Sequence, residues 1–186
     1  RQSSGDFIAE LSEQLPELIG GSADLSGSNS TIWAAAAPVT GAGNGGNYIY
    51  YGVREFAMTA IASGLALHGG LIPFTGTFLM FMEYARNAVR MSSLMGVGAI
   101  HVYTHDSIGQ GEDGPTHQPI EQLTNLRTTP NLCVWRPCDA VEVRAAWCLA
   151  ISRRRAPTAL VLSRQSVAHQ ARSDEQVALI QRGGYV

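Results

Sequence analysis

The sequence predicts an α/β domain with a mainly parallel sheet that is flanked by helices on both faces. One observation favours this class, and a second favours a single globular domain. From Leu71 onward, short β-type runs alternate with helical stretches, which is the order that βαβ units require. Apolar residues also make up 45% of the 186 residues, a share typical of globular domains with a sizeable buried core. We therefore expect one domain over residues 1–186.

The predicted elements follow one another along the chain. Before Leu71 the patterns predict a helix over 7–15, a strand over 18–20 and a helix over 55–67, whose end is marked by Gly69 and Gly70. After it we expect strands over 71–74, 99–103, 132–135 and 159–162, with helices over 77–95, 119–127 and 140–154. In such sheets the loops beyond the carboxyl ends of the strands form the binding crevice. The segments 21–47, 105–118 and the one around Gly76 are therefore the places to search for a site.

Bulk properties exclude several classes of partner. The formal net charge is −2, so charge does not favour a nucleic acid or an anionic membrane. No apolar run approaches the roughly 20 residues of a membrane-spanning helix, and the three cysteines lack zinc-site spacing. The chain opens on Arg-Gln-Ser-Ser without a signal-peptide pattern, which we interpret as a piece excised from a longer cytoplasmic protein. The glycine-rich stretch 41–46 matches a dinucleotide-binding spacing, but no strand precedes it, and we interpret it as a flexible loop.

One polar loop carries the densest functional signal. It begins at His105 and reads His-Asp-Ser-Ile-Gly-Gln-Gly-Glu-Asp-Gly-Pro-Thr-His-Gln-Pro, in which glycines and prolines exclude a regular element. A loop that gathers imidazoles and carboxylates after a strand is typical of a binding or catalytic site. Two other interpretations are surface histidines between capped turns and a metal site built from His105, Asp113 and His117. Their irregular spacing does not define a coordination shell.

Three further patterns allow both a structural and a functional interpretation. Glu55 heads an apolar helix, where the helix dipole favours an acid; partial burial would raise its pKa and suit it to proton exchange near neutral pH. Phe78, Phe81 and Tyr84 fall on one side of the predicted helix 77–95, either as core or as a stacking surface for a flat heteroaromatic ring. Arg164 follows an apolar run at the crevice end of a strand, where a guanidinium could clamp a phosphate.

Five blocks in this order and spacing resemble transketolases of the bacterial type. They are Gly-Ser-Ala-Asp-Leu at 21–25, Tyr-Gly-Val-Arg-Glu-Phe at 51–56, Thr-Phe-Leu-Met-Phe at 77–81, the loop 105–119 and Leu-Ser-Arg-Gln at 162–165. The resemblance covers the whole chain and implies the central, pyrimidine-binding domain of the thiamine-diphosphate-binding fold. It implies an enzyme of the pentose phosphate pathway that transfers a two-carbon ketol unit from a ketose phosphate to an aldose phosphate through the cofactor's ylide.

The resemblance also implies which residues contact the cofactor. Glu55 is similar to the glutamate that hydrogen-bonds the aminopyrimidine ring and drives it into the imino form, which deprotonates the thiazolium carbon. Phe78, Phe81 and Tyr84 resemble the aromatic wall around that ring, which favours the stacking interpretation over the core. Asp24 resembles a residue close to the cofactor or the dimer contact.

A second set resembles the substrate-binding residues of the family. The donors that hold the sugar phosphate correspond to Arg1, Ser28, His105 and Arg164. Asp113 resembles the acid that binds a substrate hydroxyl. His117 resembles the histidine beside the ketose oxygens and is a candidate proton carrier.

The family's diphosphate-binding motif has no counterpart in these residues. The resemblance implies that thiamine diphosphate is held together with Mg²⁺, or Ca²⁺, by an absent domain, which a homodimer supplies from the partner subunit. We therefore expect the isolated chain to be inactive. Two alternatives remain: dihydroxyacetone synthase or another ketol transferase that uses thiamine diphosphate, and a non-catalytic homologue that serves as a dimerisation module.

Overall fold

Six parallel strands form one sheet in this chain, for which a computed structural model describes residues 1–43 and 45–184. The strands are β1 (Leu18–Ser22), β2 (Tyr48–Tyr50), β3 (Ile72–Phe78), β4 (Ile100–Thr104), β5 (Cys133–Trp135) and β6 (Thr158–Val161). Their order across the sheet is β2-β1-β3-β4-β6-β5, and every pairing is parallel. The predicted α/β class with a parallel sheet is confirmed.

Helices cover both faces of the sheet. They are α1 (Gln2–Gln14), α2 (Glu55–His68), α3 (Met82–Met95), α4 (Gln122–Arg127), α5 (Ala140–Ser152) and α6 (Asp174–Leu179). The larger core cluster joins α1 and α5 to one face of the sheet, and a second cluster joins α3 and α4 to the other. Within the larger cluster the buried indole of Trp147 donates a hydrogen bond of 2.8 Å to Ser4 Oγ, which links α5 to α1. None of the helices in the described ranges has the length and apolarity that crossing a bilayer requires.

Local sequence explains where several helices begin and end. Asp139 caps α5, since its side chain accepts a hydrogen bond from the Glu142 backbone N–H, the commonest stabilisation of a first turn. Gly96 ends α3 with φ of 65°, a left-handed conformation that glycine adopts without a steric penalty. Gly69 follows α2 with φ of 82°, as the glycine pair in the sequence predicts.

The predicted helix over 77–95 is wrong in its first part. Residues Thr77 and Phe78 belong to β3, where they pair with Tyr103 and Thr104 of β4, and a 3-10 turn covers Leu79–Phe81 before α3 begins at Met82. The strand is longer than predicted because its neighbour β4 continues to supply backbone partners. Phe78 and Phe81 therefore lie at the carboxyl end of a strand and in the turn after it, not on a helix.

Other element boundaries also differ from the predictions. The helix predicted over 7–15 begins at Gln2, and the one predicted over 119–127 is only the six residues of α4. Two elements were not predicted from the sequence, the aromatic strand β2 and the C-terminal helix α6. The loop 105–118 contains one short 3-10 turn, Gly111–Asp113. The glycine-rich stretch has no helix or strand over 41–43 and 45–46, and Asn44 lies outside the described residues.

Candidate active site

The candidate residues gather at the carboxyl edge of the sheet. The segments that leave β1, β3, β4 and β6 there carry Ser28, Phe81, His105 and Arg164 respectively. These strands lie side by side in the order β1-β3-β4-β6. Parallel strands bring the loops beyond their carboxyl ends to the same edge, so residues far apart in the sequence meet in space.

A cluster of aromatic and imidazole rings forms the centre of this edge. The rings of Phe78 and His105 stack with centroids 3.8 Å apart, and Phe78 and Phe81 are nearly parallel at 5.7 Å. His117 meets Phe81 edge-on at 5.0 Å, and Tyr84 lies 6.0 Å from Phe81. Phe78 is buried, whereas Tyr84 is 68% exposed. We call these five residues the ring cluster; it is packed on one side and open on the other.

His105 is fixed by its neighbours. Its backbone has φ of 58°, its carbonyl accepts a hydrogen bond of 2.8 Å from Gln110 Nε2, and its Nδ1 lies 2.9 Å from Thr104 Oγ1. The Thr104 hydroxyl donates its one hydrogen to Asn29 Oδ1 at 2.7 Å, so it accepts a hydrogen bond from Nδ1–H of His105. Nε2 is therefore the nitrogen of His105 that can take up a proton. Burial and the positive charges of Arg1 and Arg164 lower the His105 pKa to about 4, with Asp113 opposing them. The free site therefore holds a neutral imidazole at pH 7.

Two arginines from opposite ends of the described chain share one cleft beside this histidine. Arg1 Nη1 donates a hydrogen bond of 2.5 Å to the Ser28 carbonyl. Arg1 and Arg164 line a cleft of about 400 Å³, together with Ser166 and His169. The charges of both arginines act on His105. The structure thus brings together the four residues that were predicted to hold a sugar phosphate.

Glu55 and Asp24 stand apart from the ring cluster. Glu55 is the first residue of α2 and is only 6% exposed, so the burial that its proposed role requires is present. Asp24 is exposed just after β1 and has φ of 63°, a conformation that aspartate tolerates better than most residues. In residues 1–43 and 45–184, no hydrogen bond, ion pair or ring contact joins either acid to the ring cluster. Their predicted roles stay predictions.

The metal-site interpretation of the polar loop gains no support. Asp113 is exposed on the 3-10 turn, and His117 packs against Phe81 with its Nδ1 2.9 Å from Thr116 Oγ1. Across the part of the chain that the structure describes, no three acidic, histidine or cysteine side chains are grouped closely enough to hold one ion.

Sequence reasoning missed the residues that support His105. Thr104 and Asn29 are buried and form a chain of hydrogen bonds that ends at Ser22 Oγ, 3.3 Å from Asn29 Nδ2. A threonine directly before a crevice histidine was a usable signal, because its hydroxyl can orient the ring. Asn29 gave no such signal, since its pairing with Thr104 spans 75 positions.

Comparisons with known proteins show the family and the fold. The family model described as the transketolase pyrimidine binding domain matches residues 1–170. Transketolase 1 of Vibrio cholerae is 60% identical over all 186 residues, which are 28% of its own length. The solved transketolase of Leishmania mexicana superposes with a TM-score of 0.95 at 46% identity, over 99% of this chain and 28% of that one. A Pichia stipitis transketolase in complex with sedoheptulose-7-phosphate gives 0.94 at 44% identity, over 99% and 28%. The chain thus spans just over a quarter of the length of these relatives.

Proposed function

Since the chain belongs to the family of transketolase pyrimidine-binding domains, we propose that it forms part of an active site that transfers a two-carbon ketol unit from a ketose phosphate to an aldose phosphate. The observation that carries this proposal is that Arg1 and Arg164 line one cleft and that their charges act on His105, whose ring stacks on Phe78. The ring cluster suits a flat cofactor ring, and the cleft suits a phosphate. His105 belongs to the ring cluster and is also influenced by the charges of the two arginines.

The ring cluster fits the pyrimidine ring of thiamine diphosphate. Tyr84 and Phe81 offer aromatic faces that the domain itself does not cover completely, and each good ring contact adds about 0.5–1.5 kcal/mol beyond burial. Thiamine diphosphate supplies the carbon nucleophile that carries the two-carbon unit. Glu55 holds a carboxyl group out of water at the start of α2, where it would hydrogen-bond a ring nitrogen and fix its protonation state. We assign Asp24 a place close to the cofactor or at the contact between subunits.

The arginine cleft would bind the substrate's phosphate. A phosphate dianion between Arg1 and Arg164 offsets the positive charges that contribute to the lowered His105 pKa, so we expect substrate binding to raise that pKa. The Ser28 carbonyl positions the Arg1 guanidinium, and the Ser28 hydroxyl is a further candidate donor. Asp113 would accept a hydrogen bond from a sugar hydroxyl, and His117, next to Phe81, would carry a proton at the ketose oxygens.

The remaining parts of the active site are assigned to other segments of a longer enzyme. We infer that the diphosphate and its Mg²⁺ or Ca²⁺ are bound by another domain, contributed by the second subunit of a homodimer in the cytoplasm. The open side of the ring cluster supports this inference, because the Tyr84 ring is two-thirds exposed. Such a surface needs a second wall before it can hold a cofactor away from water.

A coupled assay tests the proposal. Ketol transfer from xylulose 5-phosphate to ribose 5-phosphate would be measured for the full-length enzyme with thiamine diphosphate and Mg²⁺, and for this chain alone as the control. We expect turnover by the full-length enzyme only. Turnover by the isolated chain would refute the shared active site. Absence of turnover in the full-length enzyme would refute the proposed reaction.

A further inference from the structure

We propose that His169, held by the buried carboxylate of Asp139, is a further residue that binds the substrate's phosphate. The inference rests on the proposed function, which assigns the cleft of Arg1 and Arg164 to that phosphate. His169 lines the same cleft as the two arginines. It comes from the segment after β6, five residues beyond Arg164, and its side chain is 70% exposed.

The carboxylate of Asp139 faces one side of the His169 ring. Its Oδ2 lies 3.6 Å from His169 Nδ1, and the Asp139 side chain is 1% exposed. The same oxygen accepts hydrogen bonds from the Gln170 backbone N–H at 3.0 Å and from Arg172 Nη1 at 2.5 Å. Because Nδ1 faces the carboxylate, Nε2 on the opposite side of the ring is the nitrogen left for a ligand in the cleft.

The Asp139 carboxylate remains charged in this setting. Burial by itself raises a carboxyl pKa, but the Arg172 guanidinium and the N–H groups of Gln170 and Glu142 outweigh it, so the Asp139 pKa lies below its usual value. Arg172 also contacts Glu142 at 3.1 Å, so the guanidinium is shared between two carboxylates. Asp139 is therefore a positioning residue: its charged carboxylate lies at ion-pair distance from His169 Nδ1 and attracts that side of the ring.

The rest of the cleft wall also suits an anion. Gln2 and Ser3, the first two residues of α1, line the cleft, and α1 has no side-chain cap at its start. The backbone N–H groups of a first helical turn are unpaired donors unless a cap or ligand accepts from them. Together with Arg1, Arg164 and His169 they give the phosphate donors from three separate segments.

Direct binding measurements test this inference. Ribose 5-phosphate and ribose would be titrated into the full-length enzyme, holding thiamine diphosphate and Mg²⁺, by isothermal titration calorimetry. We expect His169→Ala to weaken ribose 5-phosphate binding by about 3- to 10-fold, the range for loss of one typical hydrogen bond, because this side chain is largely exposed to water, and to leave ribose binding unchanged. His68→Ala, at an exposed histidine in the last turn of α2, is the matched control and should change neither affinity.

A double-mutant comparison tests the role of Asp139. Asparagine keeps a helix cap at the start of α5, so Asp139→Asn should weaken ribose 5-phosphate binding in the wild-type background and have little effect in the His169→Ala background. Equal effects in both backgrounds would overturn the positioning role.

The outcomes separate this inference from the proposed function. Unchanged ribose 5-phosphate affinity in His169→Ala would overturn the role of His169, whether or not the enzyme catalyses ketol transfer. An equal loss of affinity for ribose and ribose 5-phosphate would also overturn it, because a phosphate contact acts on only one of them. An enzyme without ketol transfer in which His169→Ala still weakens phosphate binding would refute the proposed reaction and uphold the site.

Discussion

Acidification should destabilise this chain through His101, a histidine outside the proposed site. His101 lies on β4, fully buried, with its Nδ1 3.0 Å from Thr75 Oγ1. Burial lowers its pKa from 6.5 to about 4. The folded state therefore keeps the imidazole neutral, while the unfolded chain binds a proton as soon as the pH falls below about 6.5. Stability is fully present above that pH and is lost progressively as the pH falls towards 4.

The size of the effect follows from the two pKa values. Their difference of about 2.5, at 1.36 kcal/mol for each pKa unit, corresponds to about 3 kcal/mol of unfolding free energy between pH 7 and pH 4. His105 acts in the same direction and over the same pH range, because its pKa is also lowered to about 4. A variant is needed to separate the two histidines.

The assay is urea unfolding of the 186-residue chain at several pH values, followed by circular dichroism. His101→Gln removes the titrating group and keeps a polar side chain near Thr75. Between pH 7 and pH 4 the free energy of unfolding of this variant should therefore decrease less than that of the wild type, by a difference of about 3 kcal/mol. His68→Gln, at an exposed position, should follow the wild type. Parallel curves for wild type and His101→Gln would refute the reasoning. The comparison uses the change of unfolding free energy with pH, so a loss of stability that is the same at every pH does not affect it.

Three further outcomes follow from the structure. Glu55→Gln in the full-length enzyme should slow proton exchange at the cofactor's reactive carbon at least about tenfold, measured by deuterium exchange; an unchanged rate would exclude Glu55 from proton transfer. Tyr84→Ala loses one ring contact and should weaken thiamine diphosphate binding about 2- to 10-fold, whereas Tyr84→Phe keeps the ring and should bind normally. Equal affinities of the wild type and Tyr84→Ala in a titration would contradict the stacking role. Gly20→Ala places a methyl carbon 2.0 Å from Phe74 Cζ and should lower the free energy of unfolding in urea by about 1–3 kcal/mol. Gly64→Ala, which has open space on α2, should leave that free energy unchanged or raise it, and a Gly64→Ala variant less stable than Gly20→Ala would contradict the packing.

Local patterns predicted the sheet class and most helices, because each element carries its own periodicity and its own start or stop signals. The errors occurred where a distant partner decides the outcome. Tyr48–Tyr50 is a strand because β1 pairs with it, and three residues carry too little periodicity to show this. Thr77 and Phe78 continue β3 because β4 runs alongside them. Both decisions depend on contacts between segments, which one-dimensional patterns do not record.

The two histidines of β4 and its loop show the same limit within the site. His101 and His105 are four positions apart, and the sequence alone shows two polar rings in or just after one predicted strand. His101 lies within the strand, fully enclosed by the sheet and its helices, whereas His105 follows the strand end with φ of 58° and stacks on Phe78. The resemblance selected His105 as the site residue; the residues themselves could not separate the two histidines, since enclosure is a property of the packed sheet.

The strand order explains why this site depends on the whole chain. Residues 1 and 164 reach one cleft because α1 packs beside α5 on one face of the sheet, while β6 lies next to β4, whose loop carries His105. A substitution that removes the hydrogen bond from Trp147 to Ser4 and separates α1 from α5 would therefore displace Arg1. Such a substitution would alter none of the proposed contacts with the substrate. Because the proposed phosphate donors Arg1 and Arg164 lie at the start of α1 and after β6, we expect the cleft to form only when both of these segments are docked. We therefore expect affinity for a phosphate to depend on the integrity of the α1–α5 layer, whereas the ring cluster, built on β3, α3 and the loop after β4, depends on the opposite face.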